Sequence, residues 1–132
     1  MLAARRALLQ ASLAAMDSAV LVLADAEAHL AEDPTLAELL ALQPLLRLQR
    51  RALPAPLDLA GLSRPHYRLT RADEPDAARA GFLGFPQGFL LDAFCDLAVA
   101  LSRRDPHASP LAREVLDRLA RPVEALVLTT PG

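Results

Sequence analysis

The sequence contains no Lys, Asn, Ile or Trp, a single Cys, and five aromatic residues among its 132. One cysteine excludes a disulfide within the chain, and Cys95 fits a reducing cytoplasm, where we expect the protein to reside. Because Arg replaces Lys throughout, an Arg at a given position does not by itself indicate bidentate recognition of an anion. The absence of Ile and the scarcity of Val remove most of the side chains that favour strands. A formal net charge of −2 indicates neither a wholesale nucleic-acid binder nor a membrane-surface protein.

In place of these residues the chain has 29 Leu and 27 Ala, which are strong apolar helix formers. The length fits one domain, residues 1–132. The composition therefore predicts an all-α fold: a small bundle of four main helices, with a long N-terminal helix and an irregular middle segment that contains Pro and Gly.

The N-terminal pattern predicts a helix from Leu2 to about Ala31, roughly 45 Å long at 1.5 Å per residue. Its apolar side chains follow alternating steps of four and three, as in a bundle or coiled-coil seam. A helix this long in so small a domain either bends or shares its seam with a second copy of the chain. We therefore predict an interface, and a homodimer, through Leu9, Leu13, Met16, Val20 and Leu23. The uncharged stretch from Ala7 to Met16 is shorter than the ~20 residues that cross a bilayer, so no membrane association is expected.

Proline marks the later helices. Asp33 and Pro34 predict the start of a second helix that runs towards Leu53, with a kink or break near Gln43 because Pro44 cannot donate a backbone hydrogen bond. A third helix is predicted over 86–104, with its Phe and Leu side chains, Phe89 and Leu97 included, facing inward. Ser109 and Pro110 predict the start of a fourth helix. Between these, 54–85 is expected to be irregular apart from a short helical piece over 73–79, and the pattern leaves open whether 123–130 is helix or strand.

The segment from Arg47 to Arg71 concentrates positive charge, since it holds a single acid, Asp58. Its basic residues are Arg47, Arg50, Arg51, Arg64, Arg68 and Arg71. One interpretation is a contact surface for an anion or a nucleic acid, because clustered Arg can neutralise several phosphates. The other, which we favour, is that these side chains are solvated or paired with acids elsewhere. The run from Ala60 to Ser63 resembles the turn of a helix-turn-helix, but Pro54 and Pro56 interrupt the first helix that this motif needs.

A metal site is a weaker alternative. On the predicted first helix, Asp25, His29 and Glu32 follow steps of four and three and share one face, and Asp92 and Asp96 do so on the third. The Glu-x-x-His spacing of di-metal bundles is missing, so a hydrated helix end is the favoured interpretation, and no cofactor is predicted.

The expected function is a non-enzymatic helical interaction module that forms a homodimer and binds a protein partner. The first alternative is a regulator that binds DNA or another anion through the Arg47–Arg71 segment. The second is a metal-dependent enzyme built on a helical bundle.

Overall fold

The computed structural model describes residues 2–25, 34–51, 66–75, 80–105 and 109–118, and in them the chain alternates helices with strands. The elements, in chain order, are α1 (Ala3–Leu13), β1 (Val20–Asp25), α2 (Pro34–Leu42), β2 (Leu46–Arg51), β3 (His66–Arg71), β4 (Ala80–Leu83), α3 (Phe89–Arg103) and α4 (Pro110–Asp117).

The four strands form one mixed sheet in the spatial order β2-β1-β3-β4. β1 pairs in parallel with β2 and antiparallel with β3, so that Val22 lies between Leu48 and Leu69. β4 continues the sheet antiparallel to β3. Parallel strands need a crossover connection, and α2 lies between β1 and β2 in the chain.

The core lies between one face of this sheet and the helices. Alternate side chains of β1 point to that face, and they pack against α1, α2 and α3. The cluster includes Val20, Val22, Ala24, Leu46, Tyr67 and Leu69 from the strands and Leu9, Leu13, Leu36, Leu39, Leu91, Phe94 and Ala98 from the helices.

The prediction of an all-α bundle is therefore wrong, and so is the helix predicted over residues 2–31. α1 ends at Leu13, and residues 20–25 form the central strand β1. This run is apolar from Val20 to Ala24, which fits a three-and-four helical seam but equally fits a strand buried on both faces. The structure shows the second arrangement, because Val22 and Leu23 point to opposite faces and are both fully buried.

The turn between α1 and β1 is held by the far end of α3. The buried Ser102 Oγ accepts hydrogen bonds from the backbone N–H groups of Asp17 and Ser18, each at 2.9 Å, and donates to the carbonyl of Ser18 at 2.7 Å. The Ser18 hydroxyl in turn donates to the carbonyl of Ser102. A serine hydroxyl thus satisfies backbone groups that a continuing helix would have paired internally.

The second predicted helix is also shorter than expected. α2 ends at Leu42, close to the break that Pro44 predicts. The chain then continues as β2, in which buried Leu46 and partly buried Leu48 alternate with exposed Arg47 and Gln49. This period of two places the leucines towards the helices.

The middle segment, predicted to be irregular, supplies two strands of the sheet, β3 and β4. A turn follows β3 from Ala72 to Pro75 where the start of a helical piece was expected, and 76–79 lie outside the described residues. The predicted segment 123–130 also lies outside them.

The two later helices are close to the prediction. α3 covers 89–103 and α4 begins at Pro110, where the Ser109 hydroxyl accepts a hydrogen bond from the N–H of Ala112. None of the helices in the described ranges is long and apolar enough to cross a membrane.

Phe94 lies at the centre of the core, and its loss should be costly. Its ring is fully buried and packs edge-on against Phe82 and Phe85, with centroids 5.5 and 5.1 Å away. We expect Phe94→Ala to lower the free energy of unfolding by about 3–5 kcal/mol through the cavity it leaves, as measured by urea denaturation. Phe89→Ala removes the same side chain from an exposed position of the same helix, so it should change stability by under ~0.5 kcal/mol. Equal effects would contradict the placement of the core.

Candidate functional site

The five residues of the predicted dimer seam lie inside the fold. Leu9 and Leu13 are on α1, Met16 is in the following turn, and Val20 and Leu23 are on opposite faces of β1. All five are buried. They therefore stabilise the core of one chain, and any surface for association must be sought elsewhere.

Large exposed apolar side chains occur, in the described parts of the chain, on or beside helices and not on strands. They are Leu2, Leu8, Phe89, Leu97, Leu111 and Val115. Four of them come from α1, from the residue before it, and from α3. We call this set, Leu2, Leu8, Phe89 and Leu97, the outer helical surface. Sequence reasoning missed it, because Phe89 and Leu97 were both predicted to face inward.

The two helices that carry the outer helical surface run side by side in the same direction. At their first turns, Arg5 donates a 2.6 Å hydrogen bond to the carbonyl of Gly88 and lies 3.4 Å from a carboxylate oxygen of Asp92. At the other end, Ser102 binds the turn that follows α1. Because contacts join α1 and α3 near both ends, the two helices hold a fixed position relative to each other.

Phe89 differs from every other aromatic residue of the chain. Tyr67, Phe82, Phe85 and Phe94 join in a series of edge-on ring contacts with centroids 5.1 to 5.5 Å apart. The side chain of Phe89, at the first position of α3, is instead 83% exposed. Because a large exposed aromatic gains free energy when it is buried, Phe89 is a candidate anchor for a binding partner.

α3 is apolar on two sides. Its core side carries Leu91, Phe94, Cys95, Ala98, Val99 and Ser102. A second apolar line, spaced by three, four and three residues, consists of Leu90, Ala93, Leu97 and Ala100, and we call it the α3 outer stripe. Only one narrow side is charged, with Asp92, Asp96 and Arg103. A surface helix needs one apolar face, so the outer stripe is apolar surface beyond the side that packs on the core.

The predicted arginine segment is divided by the sheet. Register places Arg47, Arg51 and Arg68 on the face away from the helices, beside Leu21, Asp25 and Leu23 of β1 respectively. We call these three the sheet arginines. Arg47 is exposed, whereas Arg51 and Arg68 are partly buried, and Arg51 donates to the carbonyl of Pro75 at 2.9 Å.

The other arginines of the segment lie apart from that face. Arg50 and Arg71 sit at register positions on the side of the helices, opposite Ala24 and Val20. Arg64 lies outside the described residues. The structure thus places three of the six predicted residues on one face of the sheet, on two strands that are separated by β1.

Arg71 has a structural role. Its guanidinium forms two hydrogen bonds to Asp73, at 2.9 and 3.1 Å, and donates to the carbonyls of Leu101 and Ser102. The hydrogen bond to Asp73 raises the pKa of Arg71, and the same bond, together with a second one from Arg104, holds the pKa of Asp73 below its usual value. Arg71 therefore ties β3 to the end of α3, and it is not counted among residues available to a ligand.

The described part of the segment that resembles a helix-turn-helix does not form a helix. His66, Tyr67 and Arg68 would have belonged to its second helix, but they lie on β3. Residues 59–65 fall outside the described ranges. A DNA contact through a recognition helix at these positions is excluded, because a strand replaces that helix.

The predicted metal site required Asp25, His29 and Glu32 to lie on one helix, and the structure does not place Asp25 on a helix. Asp25 is the last residue of strand β1, so steps of four and three no longer place it on a helical face with the other two. His29 and Glu32 lie outside the described residues. Among the residues that the structure describes, no three His, Cys, Asp or Glu side chains are grouped so that they could hold a metal ion.

Cys95 packs in the core of α3 and is almost inaccessible. Burial, with a smaller contribution from Asp92 and Asp96, raises the pKa of its thiol to about 12. The thiol is therefore neutral at physiological pH, and it packs as a small apolar group instead of serving as a nucleophile.

No family model matches the sequence, and a comparison with curated proteins found no match.

Proposed function

We propose that this chain is a non-enzymatic interaction module that forms a homodimer and binds a protein partner through the outer helical surface. The observation that carries the proposal is Phe89, exposed at 83% on a helix whose core-facing side is already filled. Leu8 on the adjacent α1 and Leu97 two turns further along α3 are also exposed. We further propose the cytoplasm as its compartment, in keeping with the single cysteine.

The outer helical surface gains free energy when a partner covers it. Burying one Phe or Leu side chain contributes about 1.5–3 kcal/mol. Aromatic side chains at the centre of a contact supply much of the affinity of protein interfaces, while a polar rim excludes water. Here Phe89 supplies the aromatic group, and Arg5, Asp92 and Asp96 border it. An apolar centre with a charged margin is the composition of a reversible protein contact.

The expected result for Phe89→Ala is a weaker dimer with an unchanged fold. Loss of about 2 kcal/mol at the anchor corresponds to roughly a 30-fold higher dissociation constant. Sedimentation equilibrium from 1 to about 100 μM measures this constant. The matched control is Leu111→Ala, since Leu111 on α4 is a large apolar residue exposed at 71% but lies outside the outer helical surface. The control should dimerise as the unmodified chain does.

Two results would count against the proposal. One is an unmodified chain that stays a strict monomer at tens of micromolar. The other is a dimer that Phe89→Ala leaves intact.

A second candidate function is the binding of DNA through the sheet arginines. What supports it is Arg47, which is exposed on β2 at the end of the strand order and shares a face with Arg51 and Arg68. Leu23 and Thr70 on that face are fully buried, so DNA would contact its exposed margin, where a guanidinium group can reach a phosphate. It requires a polyanionic partner, whereas the homodimer does not. The two candidates use different layers of the fold and can be tested separately.

The DNA candidate is tested by fluorescence anisotropy with a labelled duplex. We expect binding that weakens steeply with salt, and that is weaker in the variant Arg47→Ala, because an exposed phosphate contact disappears. Arg103→Ala removes an exposed arginine from α3, on the other layer, and should have little effect. Absence of binding at low salt, or an equal loss in both variants, would exclude this candidate.

A further inference from the structure

The α3 outer stripe alternates large and small residues: Leu90, Ala93, Leu97, Ala100. Ala93 is exposed, Leu97 is 38% exposed, and the two residues at the ends are partly buried. Successive positions are three, four and three residues apart, so the stripe stays on one side of the helix over three turns. Each alanine leaves a notch between neighbouring larger side chains.

We propose that the protein forms a two-fold dimer in which the α3 helices of two copies pack antiparallel along this stripe. The inference rests on the proposed function and names the partner as a second copy of this chain. With the axis beside position 95, Leu90 faces Ala100 of the second copy and Ala93 faces Leu97 of the second copy. Each leucine then enters a notch left by an alanine, and the two-fold axis generates the same contacts in reverse.

The ends of α3 favour this orientation. The helix has a base in its last turn, Arg103, whereas Asp92 in its first turn already lies 3.4 Å from Arg5 of its own chain and is about 120° around the helix from the centre of the stripe. In an antiparallel pair the helix dipoles oppose one another, and the two Arg103 side chains lie at opposite ends of the contact. A parallel pair would instead align the dipoles and bring the two Arg103 side chains together, so the antiparallel orientation is the more favourable one.

Two further contacts follow from the same register. Phe89 borders the stripe and lies beside Arg103 of the second copy, within reach of a cation–π contact. Asp96 lies on the same border close to the two-fold axis, so that two like charges approach one another. The first contact favours the dimer and the second opposes it.

The test uses two substitutions that should act in opposite directions. Ala93→Leu adds apolar surface but fills the notch, and we expect at least a tenfold higher dissociation constant in sedimentation equilibrium. Asp96→Asn removes the like-charge pair and should lower the constant severalfold at low salt. Both residues are exposed, so neither change should alter the thermal unfolding of the monomer. A tighter dimer with Ala93→Leu would overturn the inference, since it would indicate a non-specific apolar contact.

Orientation is read from disulfide trapping between two differently tagged copies. A copy with Leu90→Cys and a copy with Ala100→Cys should form the mixed dimer on oxidation, because these positions face each other. Two Leu90→Cys copies should not, since positions 90 lie about 15 Å apart along the axis at 1.5 Å per residue. Cys95 does not compete, because it is buried.

The outcomes separate this inference from the proposed function. If the unmodified chain is a monomer, the proposed homodimer fails. The chain can instead be a dimer that Phe89→Ala weakens, while two Leu90→Cys copies form a disulfide with each other or Ala93→Leu leaves the dissociation constant unchanged. The chain then associates through its outer helical surface in another geometry, and only the antiparallel α3 dimer is overturned.

Discussion

The structure depends on the position of β1 between β2 and β3. Residues 20–25 all pair in parallel with β2, and residues 20–24 also pair antiparallel with β3. This strand also separates the two faces, since Val22 points into the helical core and Leu23 to the opposite side, both fully buried. A central strand with no polar side chain before its last residue fixes the register of the whole sheet. It thereby determines which arginines share a face and which helices are left outermost.

The position of α3 follows from that sheet. Phe94 joins the aromatic residues beneath the helix, while Ser102 holds the turn that starts β1 and Arg71 bonds to the carbonyls at the helix end. These contacts use one side and the last turn of α3. They leave Phe89 and the outer stripe facing outward on a helix that cannot rotate to hide them. The proposed dimer is thus a consequence of how the core orients α3, and it does not require a separate binding motif.

The sequence predicts those elements that local signals define. Pro34 and Pro110 begin helices, Pro44 ends one, and the predicted third helix differs from α3 by three residues at its start. It does not predict β1, because a run that is apolar at nearly every position satisfies both a helical and a strand period, and the Leu and Ala content favoured helix. The exposure of Phe89 was missed for a related reason. A helix with two apolar sides does not reveal which side the sheet will cover, so the residues of the candidate surface depend on tertiary contacts.

Residues 20–25 form a strand at the centre of the sheet and do not continue α1, and nuclear Overhauser effects on isotope-labelled protein can establish this. We expect cross-strand backbone contacts from Val22 to Leu69, and from β1 to β2, with an extended coupling pattern from Val20 to Asp25. Contacts between residues i and i+3 that continue without interruption from Leu13 to Asp25 would contradict it, since they would show one long helix and no sheet for the arginines or for α3 to be placed on.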